Sequence, residues 1–134
     1  VKEEGLEEEL IFIMSKHHIE DFFFLDQSFP FLLKTIEKGE TRCAVRVSEY
    51  EDINTVLNLM GKVQWVWVDC FTTFPLTRKQ AETLQKKGGF KLCFVSPELQ
   101  GRNDQKDITN FKKEIEMNGI RGDAVCTKYP DLWV

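Results

Sequence analysis

The chain has 134 residues, of which 42% are hydrophobic and 12% aromatic, and this composition supplies a core and excludes disordered and fibrous proteins. The net charge is -4 and neither end carries a basic run, which argues against non-specific binding to nucleic acid or to anionic membranes. No apolar stretch reaches the length of a membrane span and the N-terminus does not resemble a signal peptide, so we expect a soluble, cytoplasmic protein with small-molecule partners.

The first part of the chain predicts a helix, a strand and a second helix. Residues 6–18 place apolar side chains at helical spacing, with acids early and basic residues late, which suits the helix dipole. Residues 22–25 form a short apolar run typical of a buried strand. Ser28 then precedes a helix that has Pro30 in its first turn and Gly39 at its end.

The rest of the chain alternates strands and helices. The predicted strands are residues 42–48, 64–70, 90–95 and 123–127, and the predicted helices are residues 52–60, 78–87 and 104–117. In the central strand Trp65 and Trp67 alternate with two valines, so both of its faces must be covered. We therefore interpret both tryptophans as core residues.

This alternation predicts an α/β fold with a parallel sheet and right-handed crossovers. Two architectures are compatible with it. One is the C-terminal portion, about five β/α units, of a (β/α)8 TIM barrel; the other is an open five-stranded parallel sheet, flavodoxin-like. Arg46 favours the barrel, because a guanidinium in mid-strand is costly to bury under a layer of helices. We expect residues 1–134 to form a single α/β domain, an incomplete barrel.

Polar residues follow each predicted strand, and the carboxyl ends of parallel strands share one edge of the sheet. Three acids can coordinate a divalent cation there, or they are solvated loop acids and helix caps: Asp26, Asp69 and Glu98. Four cations can hold a phosphate: Lys2, Arg46, Arg102 and Lys128. For Arg46 the alternative is a structural ion pair.

Cysteine and histidine residues indicate no chemistry of their own. The cysteines lie one in each of four predicted strands without a Cys-x-x-Cys pair, so we predict buried thiols in a reducing compartment: Cys43, Cys70, Cys93 and Cys126. His17 and His18 end a surface helix, remote from the polar edge, and are not predicted to be catalytic.

A receiver-like signalling domain is the alternative function. Acids end two of the strands, Ser96 ends the fourth and Lys128 ends the fifth, a layout that resembles response-regulator receivers with Asp69 as phosphoacceptor. The chain departs from that layout, because the first strand lacks an acidic pair, a helix precedes it and the closing helix is absent.

Six segments in order carry a closer resemblance. They read VKEEGL (residues 1–6), FLDQSFP (24–30), RVSEYE (46–51), WVDCF (67–71), VSPELQGR (95–102) and CTKYP (126–130). These segments resemble the later part of glycerophosphodiester phosphodiesterase-like proteins, in the superfamily of barrel phosphodiesterases that includes phosphatidylinositol-specific phospholipase C.

The resemblance implies positions for the candidate residues. Lys2 would follow the third barrel strand and help to neutralise the phosphodiester, and the other segments would supply strands four to eight. Five residues would line the mouth where the family binds its substrate: Asp26, Arg46, Asp69, Glu98 and Arg102. The family's last-strand motif usually reads Thr-Asp-x-Pro, whereas Lys128 replaces the acid here.

The resemblance also implies what this chain lacks. The family's His-Arg-Gly motif, its metal-binding Glu-x-Asp and its second catalytic histidine belong to the first strands, and none is in this sequence, so no catalytic residue is assigned. A complete relative would cleave a small-molecule phosphodiester with the help of a divalent cation, Mg²⁺ or Ca²⁺. We expect this chain to be inactive alone, with the missing barrel strands coming from upstream sequence or from another chain.

Overall fold

The structure is a computed structural model that describes residues 5–102 and 104–134. Lys2, one of the predicted phosphate ligands, lies outside the described residues. Among the described residues, no helix combines the length and the apolar character needed to cross a membrane.

In the part of the chain that the structure describes, four parallel strands form one sheet in the order in which they occur along the chain. They are β1 (Ala44–Val47), β2 (Trp65–Val68), β3 (Lys91–Val95) and β4 (Ala124–Cys126). In the register, Val45 pairs with Val66 and Val66 pairs with Leu92. The order therefore never reverses, and each crossover leads to the neighbouring strand.

The first predicted strand, residues 22–25, is reduced to a single bridge beside β1. The Phe24 N–H donates to the Arg42 carbonyl at 2.8 Å, and the Ala44 N–H donates to the Phe24 carbonyl at 2.9 Å. Extended geometry stops soon after this bridge because Asp26 adopts a left-handed backbone conformation, with φ 57°.

Residues 5–102 and 104–134 contain five α-helices: α1 (Glu7–Lys16), α2 (Phe29–Glu37), α3 (Ile53–Leu57), α4 (Arg78–Glu82) and α5 (Gln105–Met117). Short 3₁₀ helices span Pro97–Gln100 and Pro130–Leu132. Ser28 occupies the N-cap position of α2, as predicted, but its side chain makes no capping hydrogen bond.

The predicted helix over residues 78–87 is two elements, because α4 passes into the π-helical turn Thr83–Lys87. The Gly88 N–H closes that turn by donating to the Thr83 carbonyl at 3.0 Å. Only glycine fits here, since a Cβ at Gly88 would lie 2.6 Å from the Leu84 carbonyl oxygen and 2.5 Å from the Phe90 ring.

Replacing Gly88 with alanine should therefore destabilise the fold. We expect Gly88→Ala to lower the free energy of unfolding by about 1 to 2 kcal/mol, the usual cost of overpacking. Urea unfolding measures this, with Lys87→Ala as the matched control because Lys87 is exposed beside it. Equal stability of the two variants would contradict the close approach of Gly88 to the Leu84 carbonyl and the Phe90 ring.

All five helices contribute to one core on one face of the sheet. The strands present Val45, Val66 and Leu92 to it, and the helices contribute Leu10, Leu32, Val56, Ala81 and Phe111. The face by which α5 packs follows from sequence, because its apolar residues recur at spacings of three and four and so form one stripe.

The opposite face carries a second, smaller cluster. It consists of Ala44, Trp67, Cys93 and Val95, with Phe23, Leu25, Trp65, Leu99, Ala124 and Cys126 packed against it. No residue of the five helices belongs to this cluster as far as the structure describes the chain. We call this the helix-free face because no α-helix of the described residues packs on it, although Leu99 belongs to the 3₁₀ helix Pro97–Gln100. Trp67 is buried in this cluster, as predicted, whereas Trp65 is partly buried and stacks on Phe23.

The four cysteines are free thiols, as predicted. Cys43, Cys70 and Cys93 are buried and Cys126 is partly buried. Burial raises the pKa of the Cys43 thiol to about 12 and that of the Cys70 thiol to about 11. These thiols therefore stay protonated at neutral pH and act as small apolar side chains.

Candidate functional site

The polar residues that follow the strands lie together at the carboxyl edge of the sheet, as parallel pairing requires. Asp69 directly follows β2, and its N–H donates to the Val47 carbonyl of β1 at 2.9 Å. Ser96 directly follows β3, and its N–H donates to the Cys126 carbonyl of β4 at 3.0 Å. The candidate residues are therefore carried by neighbouring strands.

Arg46 projects from β1 on the helix-free face, in register with Trp67. Its Nε donates to both carboxylate oxygens of Glu51 at 2.8 Å, and its Nη1 lies 4.0 Å from Asp69 Oδ2. Hydrogen bonding to Glu51 is the main cause that raises the pKa of Arg46; burial opposes it, and the charges of Asp69 and Asp26 add to it. The predicted ion pair of Arg46 is present and its side chain is 45% exposed, while phosphate binding by Arg46 stays a prediction.

Asp69 is only 4% exposed. Its Oδ1 accepts hydrogen bonds from the Gln100 side chain at 2.5 Å and from the Cys70 N–H at 3.1 Å. Burial raises the pKa of Asp69 above its ordinary value, while the hydrogen bonds from Gln100 and Cys70 and the charge of Arg46 oppose that rise. This carboxyl group is shielded from solvent and is held by the protein.

Glu98 is 2% exposed and joins the ends of β3 and β4. Its Oε1 accepts from the Thr127 hydroxyl at 2.5 Å and from the Lys128 N–H at 2.8 Å, and its Oε2 accepts from the Ser96 hydroxyl. Burial tends to raise the pKa of Glu98, but the hydrogen bonds from these donors outweigh it and lower the pKa. Both oxygens are therefore occupied by protein donors, which indicates a structural carboxylate.

Arg102 binds backbone rather than facing an open site. Its Nη2 donates to the Cys70 carbonyl at 2.7 Å and its Nη1 donates to the Thr72 carbonyl at 3.0 Å. Its Nε is buried and has no hydrogen-bond partner among the described residues. Arg102 thus connects the loop after β2 to the segment that follows the 3₁₀ helix Pro97–Gln100.

Asp26 and Arg46 share a groove of about 650 Å³ at the carboxyl edge. Glu51 and Tyr50 also line it, whereas neither Glu98 nor Arg102 does. Asp69 does not line the groove but lies 4.0 Å from Arg46, while Glu98 and Arg102 hydrogen-bond to other parts of the edge. Lys128 is exposed nearby, and its N–H donates to Glu98.

Sequence reasoning missed the role of Glu49. Its carboxylate accepts from three consecutive backbone N–H groups, those of Phe71, Thr72 and Thr73, at 3.2, 2.6 and 2.7 Å. Burial acts against ionisation, but these backbone hydrogen bonds prevail and lower the pKa of Glu49 to about 2. The sequence shows an acid at position 49 after a predicted strand, but it cannot show the hydrogen-bond donors, which lie more than 20 positions further along the chain.

The three predicted metal ligands do not form a cation site on their own. Among the described residues, no group of three His, Cys, Asp or Glu side chains is arranged to hold a metal ion. Asp26 is exposed, while Asp69 and Glu98 accept hydrogen bonds from the protein. A divalent cation stays a prediction for the full-length protein.

Comparison with known proteins assigns no family. No protein-family model, no curated protein and no solved structure matches this chain. The resemblance to barrel phosphodiesterases therefore depends on the six sequence segments alone.

Proposed function

We propose that this chain is the C-terminal part of a glycerophosphodiester phosphodiesterase-like barrel and contributes phosphate-binding and substrate-binding residues for phosphodiester hydrolysis. The observation that carries the proposal is the position of Arg46, half-exposed on the helix-free face at the carboxyl edge of the sheet. In (β/α)8 barrels the helices pack outside, and substrates bind at the carboxyl ends of the strands.

The sheet architecture supports a barrel portion over an open sheet. Doubly wound sheets carry helices on both faces and reverse their strand order at a switch point. Here the strand order is consecutive and the helical core lies on one face. The receiver-like alternative gains no support, because a phosphoacceptor must be accessible and Asp69 is buried against Gln100.

Arg46 is the residue to which we assign phosphate binding. A guanidinium donates in parallel to two oxygens of one phosphate and offsets the negative charge that develops during phosphodiester cleavage. Glu49, Glu98 and Arg102 act at a distance from the phosphate, by holding the loops around Arg46 in place. The chain is proposed to bind the diester without hydrolysing it.

Calorimetry with a glycerophosphodiester tests this assignment. We expect weak binding, with a Kd on the order of 1 mM, equivalent to about 4 kcal/mol. Arg46→Gln should weaken it more than about tenfold, the loss of one charged contact of about 1.4 kcal/mol. Arg78→Gln is the matched control, because Arg78 pairs on the surface of α4 with Glu82. Absence of binding heat with the unmodified chain would count against the proposal.

The coding sequence upstream of Val1 tests the barrel itself. An upstream frame that encodes His-Arg-Gly and Glu-x-Asp would support a phosphodiesterase-like protein. Diester binding in the absence of such motifs would instead indicate a domain that binds phosphorylated ligands without hydrolysing them.

A further inference from the structure

The guanidinium of Arg46 already holds an anion, the carboxylate of Glu51. Arg46 Nε lies 2.8 Å from both Glu51 oxygens, and the Ser48 hydroxyl donates to Glu51 Oε2 at 2.6 Å. A carboxylate and a phosphate use the same kind of contact with arginine, charged hydrogen bonds to paired oxygens. Glu51 therefore occupies the Nε edge of Arg46, where an oxyanion would contact the guanidinium.

Glu51 is presented by a tight turn with an anchored backbone. Glu49 and Tyr50 separate Ser48 from Glu51 along the chain, and the Glu51 N–H closes the turn by donating to the Ser48 carbonyl at 3.3 Å. Glu49 fixes the turn to the loop after β2 through the backbone N–H groups described above. The Glu51 side chain is 36% exposed, so it can rotate into solvent while the turn stays in place.

The acidic groups around Arg46, Glu51 first among them, compete with an incoming anion for the guanidinium. Glu51 contacts the guanidinium, and Asp69 Oδ2 lies 4.0 Å from Arg46 Nη1. The charge of Asp26 also acts on the guanidinium. An incoming anion that binds through the Nε edge of the guanidinium displaces Glu51 and meets repulsion from the other two acids. Partly exposed ion pairs are weak, so the displacement is within reach of a phosphate ligand.

We propose that Glu51 is an internal ligand of the Arg46 oxyanion site and that phosphate-bearing ligands bind by displacing it. The inference depends on the proposed function, in which Arg46 binds phosphate. Its consequence is specific: removing the charge of Glu51 strengthens anion binding, although it also removes a native ion pair.

Dimethyl phosphate, a diester without the glycerol, is the probe for this step, titrated into the whole 134-residue chain at constant ionic strength. We expect Glu51→Gln to bind it about tenfold more tightly than the unmodified chain, a change of about 1.4 kcal/mol. Glu37→Gln changes the net charge equally at an exposed position of α2 and should alter the affinity less than twofold. The double variant Glu51→Gln with Arg46→Gln should lose binding.

The outcomes separate this inference from the proposed function. If the unmodified chain binds and Glu51→Gln is no tighter than Glu37→Gln, the competition is refuted while phosphate binding by Arg46 stands. If neither the unmodified chain nor Glu51→Gln binds, both proposals fail. If Glu51→Gln does not fold, NMR of the unmodified chain decides: dimethyl phosphate must shift the Arg46 Nε–H and the Glu51 carboxyl resonances together, and an unchanged Glu51 signal overturns the inference.

Discussion

Replacing Glu98 with alanine is expected to remove about 4 kcal/mol from the free energy of unfolding, since three donors lose a charged acceptor in a buried site. These donors are the hydroxyls of Ser96 and Thr127 and the N–H of Lys128. Thr127 and Lys128 belong to the end of β4, so the change also releases β4 from β3. Urea unfolding followed by circular dichroism measures the loss.

Two further variants sharpen this experiment. Glu98→Gln keeps one oxygen acceptor and the size of the side chain, so it should cost roughly half as much as Glu98→Ala, about 2 kcal/mol. Glu116→Ala removes an exposed carboxylate of α5 and should change stability by less than about 0.5 kcal/mol. A loss for Glu98→Ala as small as that of Glu116→Ala would show that Glu98 does not join the strands.

Replacing Glu49 with alanine should cost about 3 kcal/mol at neutral pH, because three backbone N–H groups and the Thr72 hydroxyl lose a charged acceptor. The loss should depend on pH. The folded-state pKa of Glu49 is about 2, below the ordinary value of 4.5, so its ionised form is favoured by folding. The stabilisation is therefore complete above pH 4.5 and is lost as the pH falls through 2.

Urea titrations of the unmodified chain and Glu49→Ala, at a series of pH values, measure this effect. The difference in free energy of unfolding between the two proteins should be constant above pH 4.5 and should shrink steadily towards pH 2. Glu37→Ala serves as the control, because Glu37 is exposed and its removal should show no such trend. A difference that is independent of pH would refute the role of the ionised carboxylate.

Glu98 and Glu49 both hold segments of the carboxyl edge in place. Glu98 joins the ends of β3 and β4, and Glu49 joins the turn after β1 to the loop after β2. Arg102 adds hydrogen bonds to the carbonyl groups of the same loop. Charged hydrogen bonds at several strand ends hold the loops around Arg46, which would lower the cost of the proposed ligand binding there.

The strands and helices could be predicted in outline because their signals are local. Alternating valine and tryptophan in β2, and the stripe of apolar residues in α5, result from the geometry of a strand and of a helix. The bridge at Phe24 was predicted as a full strand, because an apolar run does not reveal that Asp26 turns the backbone away. The π-helical turn before Gly88 was likewise not predictable from periodicity.

By itself, the sequence determined the α/β class, the four buried or partly buried thiols, and the presence of polar residues at the strand ends, since each depends on residue type and local spacing. Tertiary structure alone decided the consecutive strand order, the helix-free face and the partners of Glu49, Glu98 and Arg102 at the edge. The physical reason is distance along the chain. Glu49 finds its donors 22 to 24 positions away and Glu98 finds two of its donors 29 and 30 positions away, and only folding brings such groups into hydrogen-bonding contact.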